Sequence, residues 1–188
     1  FVQKVAALCA KRDWLLLIDE VQTGVGRTGS LFAFQQFGIN PDAVSFAKGI
    51  GGGLPFGGVM ANEKCSQVIT PGSHGTTFGG NPISAAAACQ VLDLVDDEMM
   101  KAVQEKGTYL RQQIEAMDLP CLGKTCGMGM MIGIEVKDGY TNRELATKLI
   151  ENGLLILTAG SRLRMLPPLT ITKEEMDKGL AIMKATLG

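Results

Sequence analysis

The 188-residue sequence holds one histidine, His74, and one tryptophan, Trp14. Histidine is the commonest metal ligand, and the single copy lies far from the one close cysteine pair, Cys121 and Cys126. A zinc site wants tighter paired spacing, so none is expected. The remaining cysteines, Cys9, Cys65 and Cys89, bring the number to five, which is odd. Reduced thiols in a cytosolic protein are the expectation. Charge of one sign is also scarce. The formal net charge is -1, and no basic run is longer than Lys11-Arg12. Nucleic acid and anionic membrane surfaces are therefore excluded as main partners. No apolar run reaches the roughly 18 residues that a membrane-spanning helix needs. The opening Phe1-Val2-Gln3-Lys4 lacks a charged region leading into an apolar one, so no signal peptide is expected.

Hydrophobic residues make up 46% of the chain, enough for one sizeable core or two small ones. There are 24 glycines, many of them between residues 24 and 80. Glycine collects where the backbone takes unusual angles or approaches a ligand closely.

Phe1, Val5, Leu8 and Cys9 recur at helical spacing with no N-cap before them, which suggests a piece of a longer chain. Trp14-Leu15-Leu16-Leu17-Ile18 is a continuous apolar run ending in Asp19-Glu20. It reads as a strand buried on both faces, as in a parallel sheet. A short helical stretch over 31–37 closes at Gly38. Ala43 to Ala47 reads as a second strand ending at Lys48, and Gly58 to Ala61 as a third. A short helix follows over 63–69. Asn81 and Pro82 are placed to cap and open a long apolar helix to Val95. Another helix is predicted over 98–117, with Val103, Leu110, Ile114 and Met117 as its stripe and Gly107 as a weak point. The tail predicts strands over 130–136, 154–157 and 163–166. Its helices are announced by capping boxes at Thr141/Glu144 and Thr172/Glu175. Alternating strands and helices define an α/β class, with a large domain over 1–96 and a small α+β domain over 97–188.

Two buried-looking strands deliver charged residues, Asp19 and Lys48, to their carboxyl ends. Ligands bind at that edge of open α/β sheets. Alone, Asp19 reads as a cap or turn residue and Lys48 as a solvated amine. Together, with Gly49-Ile50-Gly51-Gly52-Gly53 after the lysine, they suggest a shared ligand. Gly24-Val25-Gly26-Arg27-Thr28-Gly29 also matches the dinucleotide pattern G-x-G-x-x-G. Four residues separate it from the strand, however, and Asp42 precedes a strand where the ribose-binding acid should end one. No P-loop string occurs. His74 to Pro82 is a hydroxyl- and glycine-rich loop leading into a helix. It suits either a phosphate or an ordinary capping role.

Four segments resemble the class III aminotransferases: Leu17 to Gly29, Phe46 to Gly49 with its glycines, Gly75 to Pro82, and Arg164-Met165-Leu166-Pro167-Pro168-Leu169. They stand in the family's order and spacing along the whole chain. The resemblance implies the fold of the aspartate aminotransferase-like enzymes that use pyridoxal 5'-phosphate (PLP), known as fold type I. It implies that Lys48 forms the Schiff base with PLP and that Asp19 faces the pyridine nitrogen. Val21 would pack on the ring, and Gln22 would hydrogen-bond the phenolic oxygen. Thr77 and Thr76 would reach the phosphate in the neighbouring subunit, which implies a homodimer. Arg164 would bind a substrate carboxylate, with a structural ion pair as its alternative role. Amino acids and 2-oxo acids would be the substrates, in the cytoplasm. Leu157-Thr158-Ala159-Gly160 resembles the acetylornithine branch of the family, which implies N-acetylornithine, 2-oxoglutarate and arginine biosynthesis. Ornithine, succinylornithine and 4-aminobutyrate are the alternative donors. Family members are longer, and this chain corresponds to their C-terminal half. Little or no activity is expected of it in isolation, and a binding or assembly module is the rival reading.

Overall fold

Helix α1 (Val2–Arg12) ends where Asp13 turns left-handed, at φ 53°, and returns its N–H to Ala10. It opens a computed structural model that describes residues 1–188. The chain divides into two compact units, Phe1–Met100 and Lys101–Gly188. The division lies one turn into a helix, close to the 96/97 boundary read from the sequence. No helix is long and apolar enough to cross a membrane.

In the first unit, strand β1 (Leu17–Asp19) pairs in parallel with β2 (Ala43–Phe46). Strand β3 (Gly58–Ala61) closes the sheet antiparallel to β2, in the order β1-β2-β3. The sheet corrects one expectation. The apolar run Trp14 to Ile18 is not a strand buried on both faces. Only its last two residues join β1, and Trp14, Leu15 and Leu17 are 55%, 45% and 65% exposed. Burial on both faces needs a layer on each side, and β1 is the sheet's edge strand.

Asp42 ties the sheet's start together. Its carboxylate accepts the N–H of Leu16 at 2.8 Å and the side-chain amide of Asn62 at 2.9 Å. The Leu16 bond, then that of Asn62, holds this carboxyl below the ordinary carboxylate range. Asn62 in turn caps α2 (Glu63–Ser66), a single turn that stops short of the predicted Ile69. Helix α3 (Pro82–Leu94) begins as the sequence implies: the Asn81 side chain accepts from the N–H groups of Ile83 and Ser84. Val25, Ile50, Ala88 and Val95 form the core, flanked by Phe46, Phe56 and Val91.

Helix α4 (Asp97–Ala116) crosses into the second unit and buries Val103, Gly107, Leu110 and Ile114. The sheet beyond it has the order β4-β5-β7-β6, every pairing antiparallel. Strands β5 (Met131–Val136) and β7 (Arg162–Met165) were legible. Strand β4 (Leu122–Met128) was not, because Gly123, Lys124 and Gly127 erase the apolar alternation. Strand β6 (Leu157–Ala159) starts later than the predicted 154–157. Leu154 is still engaged with helix α5 (Asn142–Glu151), donating its N–H to Leu149 at 2.9 Å. The Thr141 hydroxyl caps α5, and a reciprocal box between Thr172 and Glu175 opens α6 (Lys173–Leu187). Ile132, Ile134, Leu149, Leu163 and Met183 are wholly buried at the centre.

Candidate active site

Parallel register brings the two candidate residues to one edge. Leu17 pairs with Ala43, Ile18 with Val44, and Asp19 with Ser45. Asp19 is thus the last residue of β1, and Lys48 lies three positions beyond its partner on β2. Both are exposed at the carboxyl end of adjacent parallel strands, the position where open α/β sheets receive ligands.

Each is held by its own backbone. Asp19 Oδ1 accepts the N–H of Val21 at 2.9 Å. This short turn orients the carboxylate. Lys48 has φ 53°, a left-handed conformation uncommon outside glycine. It opens a tight turn over Lys48–Gly51 whose Ile50 and Gly51 are buried. Gly52, at φ 58°, lies so close to α3 that an added Cβ would come within 3.2 Å of the Val91 side chain. The turn is therefore anchored from below while its lysine stays open.

Val21 is half-buried and Gln22 exposed, both in the turn after β1. Thr76 and Thr77 lie in the exposed loop before α3, where the Thr76 carbonyl accepts from Gly79. Arg164 belongs to the second unit. It sits half-buried on β7, between Gly133 and Leu157. It borders an otherwise largely apolar groove of about 570 Å³ whose walls include Leu110, Ile156, Met165 and Pro167.

The structure adds residues that the sequence reading passed over. Glu20 is 1% exposed. Its carboxylate accepts the N–H of Phe34 at 2.8 Å and the hydroxyl of Thr23. Thr28 is also buried, and its hydroxyl donates to the Thr23 carbonyl at 3.2 Å. The Gln36 amide donates to the Thr28 carbonyl at 2.9 Å and to Ser30 Oγ at 2.7 Å. The glycine-rich stretch 24–29 is thus a strapped loop beneath the site. One signal for Glu20 was available. Neighbouring strand residues face opposite ways, so an outward Asp19 implies an inward Glu20.

The family model described as aminotransferase class-III matches residues 1–187, and the chain belongs to that family. The acetylornithine aminotransferase of Haemophilus ducreyi is 42% identical over 187 residues, covering 100% of this chain and 47% of the relative. A solved acetylornithine aminotransferase from Elizabethkingia anophelis superposes with a TM-score of 0.90 at 36% identity, over 98% of this chain and 50% of that one. A Toxoplasma gondii ornithine aminotransferase, described with partial occupancy of PLP at its active site, gives 0.91 at 31%, over 99% and 46%. The chain therefore spans about half the length of the relatives it matches. The fold is that of the PLP-dependent transferases, and the family's cofactor is PLP.

The residues present fit that cofactor. An amine and a carboxylate share one strand edge, and the amine is reachable from solvent. An amine can attack an aldehyde and a carboxylate can pair with a charged ring nitrogen, the two functions that such a cofactor needs.

Proposed function

We propose that the chain is the C-terminal half of a transaminase that moves an amino group from N-acetylornithine to 2-oxoglutarate. The products are N-acetylglutamate semialdehyde and glutamate, as in arginine biosynthesis. The observation that carries the reading is the placement of Asp19 and Lys48 at the ends of neighbouring parallel strands.

PLP, when bound, supplies the electron sink for the pair left as a substrate Cα–H bond breaks. Asp19 keeps the ring nitrogen protonated, because opposite charge favours the protonated form. Lys48 would hold the cofactor through its amine, and that amine, when free, would take the Cα proton as general base and deliver it as general acid to the cofactor carbon. Val21 packs on the ring, and Gln22 donates to its phenolic oxygen. Arg164 binds a substrate carboxylate, a task suited to the bidentate guanidinium. Thr77, with Thr76, serves the phosphate of a second subunit, so the working form is a homodimer in the cytoplasm. Little or no turnover is expected of the 188 residues in isolation, and steady transamination by them alone would overturn that expectation. Ornithine is the second candidate donor, supported by the solved ornithine aminotransferases among the structural neighbours.

Borohydride reduction in the presence of PLP tests the reading. A pyridoxyl group should appear on Lys48 in the complete protein, located by peptide mass. No label there, together with retained activity in Lys48→Ala, overturns it. Steady-state rates with N-acetylornithine, ornithine, succinylornithine and 4-aminobutyrate then rank the donors.

A further inference from the structure

We propose that Glu20 is a positioning residue that sets the cofactor-facing turn from beneath; this rests on the PLP reading of Asp19, Val21 and Gln22. The turn Val21–Gly24 leaves β1 at the point where the candidate chemistry sits. Glu20 grips both of its ends. The Glu20 N–H donates to the Ser45 carbonyl at 2.9 Å, which keeps β2 alongside. The Glu20 carbonyl accepts the N–H of Gly24 at 2.9 Å, which closes the turn. Its Oε2 takes the hydroxyl of Thr23, inside the turn. Its Oε1 takes the N–H of Phe34, at the helical turn that follows the glycine loop.

One buried side chain thus joins the strand end, the turn and the loop behind it. A buried carboxylate is costly to hold unless its oxygens are hydrogen-bonded, and both oxygens here are. Gly24 shows how closely the parts meet. A Cβ there would come within 2.8 Å of the Glu20 carbonyl oxygen and 3.0 Å of the Phe32 ring. The turn cannot settle elsewhere without moving this packing.

The coupling to chemistry runs through one bond. Asp19 Oδ1 is oriented by the Val21 N–H, and Val21 is the first residue of the turn that Glu20 closes. Without the Glu20 carboxylate, the Thr23 hydroxyl and Phe34 N–H lose their acceptors in a buried place. The turn then keeps its backbone bond from Gly24 to Glu20 but loses its side-chain strap, and the Val21 N–H that orients Asp19 is less firmly placed.

Substitution chemistry separates this from a purely structural role. Glu20→Gln keeps an acceptor for the Phe34 N–H, and its amide can donate to a reoriented Thr23 hydroxyl. Glu20→Ala removes both contacts, and Thr23→Val removes one. The test uses the complete protein containing these residues, with PLP titrated by visible absorbance across pH. The melting temperature of the cofactor-free form and borohydride labelling of Lys48 are recorded beside it. Glu20→Ala and Thr23→Val are expected to weaken PLP binding on the order of tenfold or more, since small misplacements of a reacting geometry are expensive. They should also displace the pH midpoint of the absorbance band. Glu20→Gln should restore both readouts.

A folded Glu20→Ala with the parent's PLP dissociation constant and band, only melting earlier, overturns the proposal. If Glu20→Ala does not fold, the same result for Thr23→Val overturns it. A label on Lys48 in the parent with unchanged variants sinks Glu20's role alone. A parent with no label on Lys48 sinks the PLP reading and this proposal with it.

Discussion

Gly107 lies in the interior of α4, where glycine ordinarily weakens a helix relative to alanine. Its local cost is offset by a close approach. An added Cβ would stand 2.0 Å from the Gly129 carbonyl oxygen, so helix and strand connection meet backbone to backbone. Gly107→Ala should therefore destabilise the protein by about 3 kcal/mol despite its better propensity. A urea midpoint at or above the parent's would contradict this. The same contrast marks what a sequence can show of single residues. The placement of Asp19 and Lys48 at the ends of neighbouring strands was legible because each ends an apolar run with a charge. Glu20 was not, because its role depends on Thr23 and Phe34, and only the folded turn brings Phe34, fourteen positions along the chain, to its carboxylate. Arg164 stands out in the sequence only by its motif, while the largely apolar groove beside it comes from three separated segments of chain.

Helix starts were the most readable elements because capping is local chemistry. Asn81, Thr141 and Thr172 each accept the backbone donors that their positions promise. Thr172 carries the full reciprocal box, with the Glu175 carboxylate accepting the Thr172 N–H at 2.9 Å. Thr172→Ala should cost about 1 kcal/mol, seen as a lower denaturant midpoint with an unchanged slope. Thr172→Asp should recover most of it. Strands were harder. β4 has glycines and a lysine where alternation would show, and its identity comes from pairing with β5 across a tight turn. The apolar run at 14–18 is the converse case, since a run of that kind reports hydrophobicity but not which neighbours cover it, and these 188 residues span about half the length of their relatives.

At the scale of the molecule, several carboxyls anchor distant backbone or partner a cation in the folded state. Asp42 is held low by the Leu16 N–H, Glu115 by the Thr125 hydroxyl and N–H, and Asp177 by Lys173 and Tyr109. A folded-state carboxyl that binds its proton less tightly adds stability above its ordinary range. That stability is lost as pH falls through the lowered folded value. The ordinary values here are 3.8 for aspartate and 4.5 for glutamate, so the loss lies below about pH 4.5. Melting temperatures should be nearly flat from pH 7 to about pH 5 and drop below that. Asp42→Asn should melt earlier at neutral pH and show a shallower acid drop; an acid limb as steep as the parent's would refute the assignment. The left-handed backbone at Lys48 bears on the same global stability. That conformation costs a side-chain-bearing residue on the order of 1–2 kcal/mol, which glycine would avoid. The residue best suited to the backbone is thus the one that cannot perform the proposed reaction. Selection for thermal robustness and selection for turnover pull this position in opposite directions.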